Sequence, residues 1–355
     1  MRNQVGEAPI KVGNSSQLFG LALFSIAAFL LSRLTLVHIG ISPVFPAEFV
    51  LMLLLLPVPF AIFFEYVAAM PEYGRVAAIV CAASAVLIVV ALHKWSLWQL
   101  LAVAACAIDY RRPRQWELLT VCIIVTIFGY GTLWNINYIL LHNFGPSLHD
   151  QTLRTMDLAF YSFFGGSSIN YTNLFPLVRD PTLLLIFGNA YTVLFGEIVL
   201  AVLLICQTGD ANRAVRFLIT LFGLYACGVI VFMIYPAAGP FLYFPESISS
   251  AGSFLLNGMA TDYRVIMTGK GTLTGFGYFI AVPSLHILIV LFLQTFLFHY
   301  RRLFYVFLPI NLLLIPSTVV LGYHYVMDLA VAFVIAAPIC VLFFRAEAKS
   351  VAVRS

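Results

Sequence analysis

Long apolar runs separated by short polar breaks set the rhythm of this chain. Runs over residues 17–38, 47–70, 76–92, 116–141, 182–206, 215–235, 275–298, 303–321 and 325–344 are each of a length that suits a helix crossing a bilayer. Pro57 and Pro59 fall inside the second run as kinks, which membrane helices tolerate. The run over 95–110 is short: at about 1.5 Å per residue it reaches roughly 24 Å, against about 30 Å of hydrocarbon. It either crosses a thinned region or re-enters on the same side. The first run begins like a signal sequence, but its length and the lack of a small-residue cleavage site make it a retained anchor.

Two long polar connections interrupt the rhythm, over 145–181 and 236–274. Within the first, Leu153, Met156, Leu158, Phe160, Phe163 and Phe164 are interleaved with His149, Asp150, Arg154 and Asp157. That mixture predicts an interfacial helix over 148–164. The fold class is therefore all-α: a polytopic helical membrane protein of about ten spans. A polar tail (1–16) precedes an accessory transmembrane region (17–115). A six-helix core (116–345) and a short tail (346–355) follow.

Composition sharpens this picture. The chain is 62% apolar and 10% charged, against about 25% charged residues in an ordinary soluble domain. Its polar groups cannot cover a soluble surface, so the bilayer is its solvent. A net charge of +4 is no nucleic-acid signal; its placement matters more. Arg111, Arg112 and Arg114, then Arg213 and Arg216, then Arg301 and Arg302, then Arg345, Lys349 and Arg354 mark four sites two spans apart. All four can lie in the cytoplasm, with the C-terminus. The two long connections and the turn 322–325 then face the extracytoplasmic side, periplasmic or luminal. Cys81, Cys106, Cys122, Cys206, Cys227 and Cys340 all lie in apolar runs and read as small packing residues. Glu197, mid-span, reads as an interhelical hydrogen-bonding group, and the sequon at Asn170 as chance.

Candidate chemistry sits in two segments. One is Pro283-Ser284-Leu285-His286; the other runs from Ser317 through His324 to Asp328. One helix in and one helix out return His324 to the membrane face near His286. The i, i+4 spacing places Asp328 a helical turn from His324. An aspartate in an apolar run costs about 2.5–3.5 kcal/mol at mid-membrane, so it needs a partner. The residues can support phosphoryl transfer: His324 as nucleophile oriented by Asp328, and His286 as general acid and base. No metal or other cofactor is required for such a step. Lys270 and Arg264, then Arg154 and Arg179, could neutralise phosphate charge from the long connections. The same His and Asp groups could instead form a proton relay in a transporter.

These segments resemble the paired P-S-G-H and S-R-x5-H-x3-D motifs of the type-2 phosphatidic acid phosphatase superfamily. The resemblance covers roughly residues 116–345. It implies a six-helix phosphatase-like core in which His324 is the nucleophile, Asp328 its partner and His286 the acid/base. It also implies Ser284 as a phosphate contact, and Ser317, small and at the head of the second segment, is a further candidate for touching phosphate. Leu285 stands in place of Gly, Thr318 in place of Arg, and Tyr235-Pro-Ala-Ala-Gly-Pro240 where a K-x6-R-P motif is expected. P-S-L-H and H-Y-x-x-D are similar to the inositol phosphorylceramide synthase branch. The implied activity is transfer of a phospho-headgroup from a phospholipid to a lipid alcohol. A lipid or polyprenyl phosphate phosphatase, with water as acceptor, is the alternative.

Overall fold

The structure is a computed structural model, and the residues it describes are 15–41, 113–163, 181–243, 253–270, 273 and 279–352. Among them the chain is all-helical, without a strand. The helices are α1 (Ser15–His38), α2 (Pro113–Phe144), α3 (Asp150–Phe163), α4 (Pro181–Thr208), α5 (Ala211–Ile234), α6 (Pro240–Tyr243), α7 (Ser253–Thr268), α8 (Leu285–Leu297), α9 (Arg301–Val320) and α10 (Val326–Ala352). Six of these, α1, α2, α4, α5, α9 and α10, are long and apolar enough to cross a membrane. The chain is an integral membrane protein. The expected spans over 47–70, 76–92 and 95–110 lie outside the described residues, as do Arg179 and Asn170.

One expected span is shorter than its apolar run. The pattern over 275–298 predicts a crossing helix, yet α8 starts only at Leu285 and has 13 residues. At about 1.5 Å per residue that is roughly 20 Å. Pro283, preceded by a cis peptide bond, has no N–H to give to a helix, and Ser284 takes extended N-cap geometry. The apolar run is not wasted. Leu285, Leu288, Ile289, Phe292, Leu293 and Phe296 are all buried, so α8 is the centre of the bundle. α4, α5, α9 and α10 pack around it. A helix apolar on every side belongs in such a core.

α1 packs on α2 at the periphery and turns Phe19, Phe24, Leu31 and Leu34 outward, an apolar face suited to lipid. Asn135 Nδ2 donates to Ser32 Oγ across that contact (3.0 Å). Inside the bundle, Asn311 Nδ2 donates to Glu197 Oε2 (3.1 Å) and to Gln294 Oε1 (2.8 Å), tying α4, α8 and α9. At one end, Glu347 accepts from Arg213 (2.7 Å) and Arg216 (3.1 Å). The start of α10, about 32 Å away along that helix, is at the other end. Cys122, Cys206, Cys227 and Cys340 are free thiols.

Candidate active site

The turn between α9 and α10 carries His324, and its shape follows from helix-end chemistry. α9 stops at Leu321, and Gly322 takes a positive φ of 80°. Gly322 N donates to Val319 O (2.9 Å) and Tyr323 N to Thr318 O (3.1 Å). This pair of bonds satisfies two carbonyls left open at the helix end, and glycine is the residue that reaches that φ at least cost. His324 N also donates to Thr318 O (3.1 Å), fixing the histidine backbone. α10 then begins, with Asp328 in its first turn. Asp328 Oδ2 reaches back to Tyr325 N (2.8 Å), the side-chain half of a capping box.

The imidazole of His324 is buried, and its Nδ1 lies 3.0 Å from Ala281 O and 3.5 Å from Asp328 Oδ2. A carbonyl can only accept, so Nδ1 carries the proton and Nε2 keeps its lone pair. The expectation that Asp328 is the group fixing the tautomer is thus refined. The backbone carbonyl is the nearer acceptor and the carboxylate stands just beyond it. Burial pushes the His324 pKa down to about 4, while the Ala281 bond pulls it the other way. The ring is neutral near pH 7.

His286 enters from the N-terminal turn of α8. Its ring centroid is 5.7 Å from that of His324. Tyr191 of α4 stacks on it at 4.1 Å, and the Tyr191 hydroxyl lies 3.4 Å from His286 Nδ1. Tyr323 lies against Tyr191 at 4.7 Å. Both imidazoles line a cavity of about 210 Å³ whose wall includes Tyr130, Trp134, Tyr191, Phe195, Tyr225 and Tyr323.

The other candidates are placed differently. Ser284 is fully buried, its hydroxyl has no partner, and its N–H donates to Asp328 O (3.3 Å), joining the two motif segments. Ser317 is also buried, but its hydroxyl donates to Leu314 O within α9 (2.6 Å). Arg264 and Lys270 are exposed, and neither lines the cavity, although Met259 of the same helix α7 as Arg264 does. Arg154 is half-buried on α3. Among the described residues no group of three or more His, Cys, Asp or Glu is placed to hold a metal ion.

Four contributors escaped the sequence reading. Tyr191 is one aromatic among many in an apolar run, and only packing selects it. The Ala281 carbonyl is backbone and leaves no residue signal. Asp150 and Asp157 are the other two, both fully buried. A signal for them did exist: two carboxylates seven residues apart fall on one helix face, here turned inward to the turn that carries His324.

A family model described as the PAP2 superfamily matches residues 165–342, half of the chain. The match takes in both histidine segments. No curated protein and no solved structure matches the chain.

Proposed function

The chain belongs to the PAP2 superfamily, and from that premise we propose that it is a membrane phosphotransferase moving a phospho-headgroup between lipids. One observation carries the reading: a neutral His324, its Nδ1–H given to Ala281 O, shares a cavity with His286. His324 Nε2 attacks phosphorus, and the bond from phosphorus to the first lipid's oxygen breaks. His286 gives its proton to that oxygen. The headgroup phosphate is then held on His324 Nε2. His286 next takes the proton from an acceptor alcohol, whose oxygen attacks phosphorus as the N–P bond breaks. Asp328 faces the positive charge that His324 gains while phosphorylated. No cofactor enters the cycle.

The cavity wall favours a diester. The cost of moving an ion out of water rises with the square of its charge, and this wall offers aromatic rings and imidazoles. A phosphodiester brings one negative charge and a monoester close to two. The N-terminus of α8, which holds Leu285 and His286 in the wall, contributes peptide N–H groups to that charge, with Ser284 behind them. Arg264 and Lys270 attract headgroups from the surface. The distribution of Lys and Arg supports an extracytoplasmic site and a cytoplasmic C-terminus. P-S-L-H together with H-Y-x-x-D supports the inositol phosphorylceramide synthase type.

The test uses purified protein in mixed micelles with a phospholipid labelled at phosphate, with and without ceramide or diacylglycerol. Label should appear in a new lipid only with acceptor present, and His324→Ala should abolish it. His324-dependent free phosphate without acceptor, and faster turnover of a phosphomonoester lipid than of a diester, would make the protein a phosphatase instead. Uptake abolished by His324→Ala, with no phosphohistidine trappable in the wild type, would point to a transporter.

A further inference from the structure

Helix α10 begins without a capping residue of its own. The position before its first residue is Tyr325, whose side chain cannot accept from the first-turn N–H groups as Ser, Thr, Asp or Asn would. Those donors are nevertheless satisfied. Asp157 of α3 accepts from Val326 N (2.9 Å, Oδ2) and Met327 N (3.2 Å, Oδ1). The cap is supplied from another helix, 169 residues away in the chain.

Two turns earlier on the same face of α3, Asp150 does the corresponding work on a second segment. Its Oδ1 accepts from Gly239 N (2.7 Å) and its Oδ2 from Ala238 N (3.0 Å). Oδ1 also accepts from the Tyr325 hydroxyl (3.1 Å). The segment so held is tied onward: Ala281 N donates to Ala237 O (2.9 Å), and Ala281 O is the acceptor for His324 Nδ1. Gly239 also packs against the catalytic turn, since a Cβ there would sit 2.8 Å from Tyr323 O. Two routes therefore run from α3 to His324. Asp157 fixes the helix start that follows it, and Asp150 fixes the segment that supports its tautomer-setting carbonyl.

We propose that α3 is a positioning strap for the nucleophile, with Asp157 and Asp150 holding His324 in the attacking geometry without touching substrate. The proposal rests on His324 being the nucleophile. It also explains the tyrosine in His324-Tyr325-Val-Met-Asp328: its hydroxyl joins the turn to Asp150 while its N–H joins Asp328. Leu153 and Tyr161 are buried on the same face of α3 as the two aspartates, while Met156, Leu158, Phe160 and Phe163 on its flanks are exposed.

The experiment compares wild type, Asp157→Asn, Tyr325→Phe and His324→Ala in detergent. It measures single-turnover phosphohistidine formation, the KM for phospholipid and the melting temperature. Asp157→Asn keeps one acceptor oxygen and loses the other, so one first-turn N–H faces an amide NH2. The rate of phosphohistidine formation should fall by about 10- to 100-fold, the scale of a misplaced reacting group, with KM within about 2-fold. Tyr325→Phe removes one hydroxyl bond and should slow the same step by a smaller factor while the protein melts normally. A purely structural cap would lower the melting temperature and leave the rate of the folded fraction unchanged, which overturns the proposal. If Asp157→Asn does not fold, Tyr325→Phe decides, and a wild-type rate there overturns it. Turnover by His324→Ala is a separate failure, of the nucleophile assignment itself.

Discussion

Replacing Asp328 by Asn separates two jobs that the site divides between a carbonyl and a carboxylate. The Nδ1–H of His324 is 3.0 Å from Ala281 O, so the tautomer survives without Asp328. What disappears is a negative charge 3.5 Å from a ring that becomes cationic when phosphorylated. Two unit charges at that distance interact by about 5 kcal/mol at an effective dielectric constant near 20. Expressed fully in the transition state, that is about 10³- to 10⁴-fold in rate. Asn preserves the shape, and its amide oxygen can still accept from Tyr325 N, as Oδ2 does at 2.8 Å. The measurement is rapid-quench trapping of phosphohistidine with a labelled phospholipid, alongside steady-state transfer to an added acceptor. Both rates should fall by about 10³-fold with little change in KM, short of the complete loss in His324→Ala. The expected loss requires a charged Asp328 facing the ring when His324 is phosphorylated, the state in which the cationic ring 3.5 Å away favours the carboxylate. A loss under about tenfold would refute that charge assignment and leave the Ala281 carbonyl as the sufficient partner.

Three further outcomes follow, two from the His324 ring and one from the opposite end of the bundle. Because His324 is pushed down to about 4 from an ordinary 6.5, its lone pair stays available through mildly acidic pH, and the acid limb of kcat/KM should lie near 4. A limb at 6.5 that disappears in no other variant would contradict the buried, neutral ring. The folded state binds fewer protons than the unfolded chain between those values. The His324 share of stability should therefore fall as pH drops from 6.5 toward 4, by up to about 3 kcal/mol, and His324→Gln should make the slope shallower in a melting series, with the buried His286 supplying the remainder. At the other end of the bundle, Glu347→Ala strands Arg213 and Arg216. Both arginines are partly exposed, so water offsets part of the loss, and about 1–3 kcal/mol should vanish from detergent unfolding. The rate of phosphohistidine formation in the folded fraction should not change; a large drop would mean that this end communicates with the site.

The sequence by itself determined the solvent, the element type and the candidate reacting groups. A chain this apolar must live in a bilayer, and there a lone segment must be helical, because only a helix satisfies its own peptide groups. The motif spacings likewise brought His286, His324 and Asp328 to one place, since side chains on successive helix ends meet when the connecting span crosses and returns. Only the tertiary structure decided how His324 is held. The α8 start at Leu285 depends on Pro283 and on the burial of that helix within four others, whereas hydropathy records only the apolar run. The Ala281 carbonyl as proton acceptor belongs to the backbone, which carries no residue code. Asp150 and Asp157 looked like the wet face of an interfacial helix. Their partners are N–H groups about 90 to 170 residues away, and only packing shows that the two aspartates turn inward together with Leu153 and Tyr161. Local pattern fixes what a segment can form; which of its faces is buried depends on what the rest of the chain places against it.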